Sequence, residues 1–291
     1  MLPFIFTTMK YIYSILVIVI FATCNNQNSA KNGEQRIVCV SKQYNEIICA
    51  LGAEQNLVGV DVSSTYPASL SKVSKVGYHR ALGVEGIVSL NPTLFIHDNN
   101  VGPENVMPQL KDLNVPMKSF IKAETIDSTK MLIHELGAYF QKEKQADSLC
   151  IQLDNDMSAA LANKANYNNS VRVLIIHYGQ ASNTYLVMTS KSTGAKMIQW
   201  AGGEMAIQDG QKGMKPLSAE IIAEANPDVI LLTDFGYDRL GSLDKVKELP
   251  GIGGTKASLN NKIYRIEEHD LVYLGPRTGK NILELQKIIH Q

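Results

Sequence analysis

The chain has 291 residues, 28 Lys+Arg against 28 Asp+Glu, 45% apolar and 19% charged residues. A neutral chain of average composition has neither the basic field of a nucleic-acid binder nor the charged, poorly apolar character of a disordered one. Four cysteines in this length exclude a disulfide-dense scaffold, and the length admits one large domain or two ordinary ones.

The first 24 residues differ from the rest. Residues 12–22 form an almost unbroken apolar run behind Lys10. That is shorter than the roughly 20 residues of a spanning helix and matches the apolar core of a secretory signal. Met9 opens this unit well, so either Met1 or Met9 is the start. The run ends Phe21-Ala22-Thr23-Cys24, which resembles a bacterial lipobox and makes Cys24 the expected lipidation site and mature N-terminus. The polar tract 25–35 then serves as a flexible tether. Cys39, Cys49 and Cys150 have no CxxC spacing and read as buried apolar thiols.

The mature chain repeats itself. Leu82, Glu85, Ile87, Asn91 and Pro92 recur at an offset of 135 residues as Leu217, Glu220, Ile222, Asn226 and Pro227. Each copy reads as a short helix stopped at Asn-Pro, because the residue before proline is pushed out of the right-handed helical region. Each then enters an apolar run suited to a buried parallel strand. Arg36–Ser41 and Arg172–His177 are strand-like runs that open the two halves. Between the halves a proline-free helical pattern extends from about Ile126 to Ala165, as one helix or two.

The expected fold class is therefore α/β: two lobes, 36–122 and 170–291, with mostly parallel sheets, a helical connector at 123–169 and a ligand cleft between the lobes. No nucleophile elbow, P-loop or dinucleotide fingerprint is present. His134-Glu135 begins a zinc-protease pattern that fails at Ala138. An enzyme is not expected.

Several segments resemble the periplasmic-binding-protein family that delivers vitamin B12, iron-siderophores and haem to ABC importers. They are Gln35-Arg-Ile-Val with Asn45-Glu46-Ile and Ala50-Leu-Gly52; Leu57–Asp61 with Tyr66-Pro67; Val76-Gly77-Tyr78-His79-Arg80; and Gly275-Pro276-Arg277-Thr278. The last two look most like the haem-carrier branch. The resemblance implies haem as the transported ligand, with Tyr78 binding ferric iron through its phenolate, a hard anionic oxygen and an established haem ligand. Arg80 or Arg277 is expected to help ionise Tyr78 and to pair with propionates. His177 is the expected second iron ligand from the other lobe, with His79 as its rival. Tyr178, Tyr273 and Tyr44 are expected around the pocket.

Glu85 and Glu220, equivalent in the repeat, are expected to dock on arginines of the permease. The resemblance further implies a monomer, held by its lipid in the periplasm or on the outer cell surface; the stiff connector predicts only a small hinge change on binding, and the neutral charge no nucleic-acid partner. Cobalamin or a ferric siderophore is the alternative cargo, and a secreted enzyme or metal-binding sensor the alternative class.

Overall fold

The computed structural model describes residues 35–167, 169–208 and 212–291. The leader, Cys24 and tether residues 25–34 lie outside the described residues.

In the first lobe, β1 (Ile37–Cys39) leads into α1 (Lys42–Ala50), and the chain returns as β2 (Leu57–Val60) and β3 (Ser74–Lys75). A short hairpin, β4 (Gly77–Tyr78) and β5 (Ala81–Leu82), precedes α2 (Val84–Val88), β6 (Leu94–His97), α3 (Val106–Asp112) and β7 (Met117–Ser119). The sheet order is β3-β2-β1-β6-β7 and every pairing is parallel. All of β1 is buried, as expected of a parallel strand covered on both faces.

The helical pattern between the lobes is two helices, α4 (Ile126–Tyr139) and α5 (Glu143–Lys164). A capping box between Thr125 and Ser128 starts α4. Gln141, at a left-handed φ of 55°, lies in the break before α5.

The second lobe begins with β8 (Val171–Gly179), β9 (Thr184–Met188), α6 (Thr193–Trp200), β10 (Gly203–Met205) and β11 (Met214–Pro216). It continues with α7 (Ala219–Ala225), β12 (Val229–Thr233), α8 (Asp234–Leu240), α9 (Leu243–Lys247), α10 (Lys256–Leu259), β13 (Ile263–Ile266), α11 (Glu268–Val272) and α12 (Thr278–Ile289). Its order is β11-β9-β8-β12-β13, with β10 also on β8. The β8, β10, β12 and β13 pairings are parallel, while β9 and β11 add antiparallel ladders. This sheet is thus mixed where the first is purely parallel.

The repeat is visible in backbone detail. Asn91 and Asn226 both take left-handed φ values, 47° and 32°. Asparagine tolerates that region, which resolves the conflict between a helix end and the following proline. The Arg36 N–H donates to Thr93 Oγ1 at 2.9 Å, and the equivalent Arg172 N–H donates to Asp228 Oδ2 at 3.1 Å. Each bond ties an opening strand to the Asn-Pro turn.

One apolar cluster crosses the joint. It runs from Ile37 and Ile47 through Leu132 and Leu153 to Ile175, Leu271 and Ile282. Connector and lobes therefore share a core, which favours a stiff joint. In this layer α5 and α12 approach so closely that a Cβ on Gly279 would lie 2.4 Å from the backbone of Asp156. Among the described residues, no helix is long and apolar enough to cross a membrane.

Candidate functional site

The C-terminal ends of the parallel strands are where loops and helix starts gather, and where α/β proteins place ligands. Here those of the two lobes meet. Helix α1 follows β1, and α11 follows β13; their side chains join across the lobes. Lys42 Nζ donates to Glu268 Oε1 at 2.7 Å, with both side chains buried. His177 Nδ1 lies 3.1 Å from the other Glu268 oxygen, off the hydrogen-bond direction. Burial pushes the Glu268 carboxyl up. The Lys42 charge and the nearby His177 outweigh this and hold it at about 2.

A second interlobe tie centres on Glu46. Arg277 Nε donates to Glu46 Oε1 at 2.8 Å, and His269 Nε2 lies 2.5 Å from Glu46 Oε2. Arg277 also donates to Asp270 at 2.6 Å and stacks 3.4 Å over the Tyr66 ring. Burial raises the Glu46 carboxyl, but His269 and Arg277 together bring it below its ordinary range. Gly275 is needed at this point: a Cβ there would sit 2.8 Å from Glu46 Oε2. The Gly275–Thr278 segment thus builds a joint between the lobes. Arg277 is engaged by carboxylates and is not a free cation beside Tyr78, a departure from the sequence-based expectation.

Tyr78 ends β4, half-buried, with its ring 4.4 Å from that of His79. Burial and then the Glu268 charge raise its phenol above the ordinary value, against the pull of Lys42 and Arg80. Glu268 belongs to the other lobe. Arg80 thus pulls in the expected direction, but burial and Glu268 outweigh it in the ligand-free protein. Arg80 is exposed beside it. His79 is buried, with Nδ1 3.2 Å from Asp61 and Nε2 3.3 Å from the Asn100 amide. Both ring nitrogens are engaged, which removes His79 as a rival iron ligand. Asp61 also accepts from Ser63 and Ser64, and these bonds with His79 outweigh burial and lower its carboxyl.

On the opposite wall, strand alternation separates two neighbours expected together. Val173 and Ile175 belong to the joint cluster, Leu174 and Ile176 to the cluster on the other face of the sheet. His177 follows the first set, toward Glu268. Tyr178 follows the second, where its hydroxyl bonds Asn183 and its ring packs on Tyr185. Tyr178 thus sits on the sheet face opposite His177. Tyr273 stacks 5.7 Å from His269 and has Lys42 Nζ 5.3 Å from its ring. Burial first, then Glu268, Asp98 and Asp61, push its phenol well up, which places it near both walls. Tyr44 does not line the cleft: it is fully buried beside Phe120 and donates to the Phe120 carbonyl at 2.9 Å.

Lys42, Glu268, Glu46 and Phe235 were missed from sequence. Phe235 opens α8 with Lys42 Nζ 5.3 Å from its ring. A cavity of about 410 Å³ between β13, α11 and α12 is lined by Arg265, Asp270 and Arg277, but by neither Tyr78 nor His177. Glu85 and Glu220 are exposed, each the second residue of its helix, α2 and α7.

Two α/β lobes on a helical connector, with polar and aromatic side chains of both meeting across a cleft, have the architecture of a solute-binding protein. Residues 37–269 match the family model described as periplasmic binding protein, and the chain belongs to that family, as a substrate-binding protein of the ABC-importer type. Among its relatives, it is 28% identical over 268 residues to the high-affinity heme uptake system protein IsdE of Staphylococcus aureus, covering 89% of each chain. It is 25% identical over 269 residues to the uncharacterized ABC transporter substrate-binding lipoprotein YvrC of Bacillus subtilis, covering 91% of this chain and 83% of that one. Among solved structures, the apo periplasmic heme-binding protein RhuT from Roseiflexus sp. RS-1 superposes with a TM-score of 0.81 at 32% identity, over 89% of this chain and 98% of that one. The periplasmic heme-binding protein BhuT in complex with two hemes gives 0.77 at 28%, over 88% and 98%.

Proposed function

We propose that this protein binds haem in the interlobe cleft and delivers it to the permease of an ABC importer. The observation that carries the reading is Tyr78: a half-buried phenol at the end of β4, its ring 4.4 Å from that of His79, which Asp61 anchors. The similarity to proteins named for heme binding or heme uptake supports the same cargo. Ferric iron favours a hard anionic oxygen, and displacement of the phenol proton by iron would supply one. His177, with Nδ1 beside Glu268, leaves Nε2 for the second axial position. Tyr273 and Phe235 offer flat apolar surface to a porphyrin, and Arg80 a charge to a propionate.

The remaining assignments belong to the same reading. Cys24 carries a lipid after removal of residues 1–23 and holds the protein outside the cytoplasmic membrane, in the periplasm or on the outer surface. Residues 25–35 are its tether, 36–122 and 170–291 the lobes, and 123–169 the connector. The protein works as a monomer, and Glu85 and Glu220 meet permease arginines.

The test is an absorbance titration with hemin, cyanocobalamin and a ferric siderophore in competition. Saturable binding of hemin, undisturbed by excess of the other two, is expected. Displacement of hemin by either competitor, or no saturable shift at micromolar hemin, would overturn the haem reading.

A further inference from the structure

The loops beyond the strand ends carry several cations, and most are engaged. Lys42 is held by Glu268, Lys122 by Glu124, and Arg277 by Glu46 and Asp270. Two arginines differ. Arg80 on the first lobe and Arg239 on the second are exposed and have no carboxylate partner among the described residues. The Arg239 guanidinium lies 5.1 Å from the centre of the Tyr178 ring, at the end of β8 that carries His177.

Helical spacing aims Arg239. It lies four residues after Phe235 on α8, so both share one helix face. Phe235 reaches Lys42 of the opposite lobe, and Arg239 follows it by one turn on that face of α8, its guanidinium over the Tyr178 ring. The aromatic contact holds a charged fork in place without neutralising it.

We infer that Arg239 is a cargo-binding residue, the second-lobe cation that pairs with an acidic group of the ligand, as Arg80 does from the first lobe. One unpaired arginine per lobe suits a flat ligand bearing two carboxylates, which is the chemistry of haem. The inference rests on the haem reading above. It also reassigns the charge expected of Arg277, which the joint between the lobes consumes.

The test compares hemin with its dimethyl ester, in which both carboxylates are blocked, on the full mature protein and on Arg239→Ala and Arg239→Lys. Loss of one charge-assisted pair at an exposed site is expected to weaken hemin binding roughly tenfold in Arg239→Ala, with most of it restored in Arg239→Lys. The difference should narrow as salt is raised. The ester should bind the unsubstituted protein and Arg239→Ala equally. Equal hemin affinity of Arg239→Ala and the unsubstituted protein would overturn the inference. So would an equal loss for the ester, which would assign Arg239 to packing on Tyr178. Absence of any saturable hemin shift in the unsubstituted protein would instead overturn the haem reading, and this inference with it.

Discussion

Glu46→Ala removes the acid that joins Arg277 and His269 of the second lobe to α1 of the first. Breaking a buried ion pair from one side costs roughly 3–5 kcal/mol, because the remaining charge is left without its partner. Two features of this site place the loss at the lower end, about 3 kcal/mol. Arg277 keeps Asp270 at 2.6 Å, and its side chain is 23% exposed. His269 has no such reserve: its Nδ1 is already buried without a partner, and Glu46 is its acid. For a body of this size such a loss lowers Tm by roughly 6–12 °C. Because one apolar cluster crosses the joint, urea unfolding should remain a single transition, with the midpoint lowered and the slope unchanged. Glu46→Gln, which keeps the shape and one acceptor, should lose less than half as much. A loss below about 1 kcal/mol for Glu46→Ala would show a solvated pair of little consequence and would refute the account of the joint.

Glu268 links stability to pH. Its carboxyl is depressed from 4.5 to about 2, so its contribution is complete above the unfolded value and fades as pH falls toward the folded one. The shift corresponds to about 3 kcal/mol. The stability gap between the unsubstituted protein and Glu268→Gln, from urea midpoints, should shrink by most of that amount between about pH 6 and pH 2; a pH-independent gap would contradict the pairing. Reversing both docking acids, Glu85→Lys with Glu220→Lys, should leave hemin affinity unchanged and abolish uptake in vesicles carrying the permease; transport at the normal rate would exclude them from docking. Cys24→Ser should move the protein from the membrane fraction to the soluble fraction, and continued membrane association would exclude a lipid at Cys24.

Local chemistry was readable and distant contact was not. The paired Asn-Pro stops, the apolar strands after them and the two opening runs declared an α/β repeat, because backbone preference and burial act over a few residues. The Gly-Pro-Arg-Thr segment stands out in the sequence, but its role in the joint does not: Arg277 meets Glu46, 231 residues away, and no local pattern marks such a pair. The Lys42–Glu268 bond spans 226 residues and left no trace for the same reason. His177 and Tyr178 present a different case. The period-two alternation of a strand already puts neighbours on opposite faces, so the separation of these two was available from the sequence. The connector divides at Gln141, whose left-handed backbone follows from no strong breaker in the run.

The most direct measurement is the absorption spectrum of the hemin-loaded protein beside that of Tyr78→Phe at equal hemin. The substitution removes only the hydroxyl and keeps the ring against His79. With Tyr78 on the iron, the unsubstituted protein should show a ferric phenolate spectrum and a saturable Soret shift. In Tyr78→Phe the phenolate features should vanish, and hemin should bind at least tenfold more weakly. Identical spectra and affinities for the two proteins would contradict the central claim that Tyr78 holds the iron.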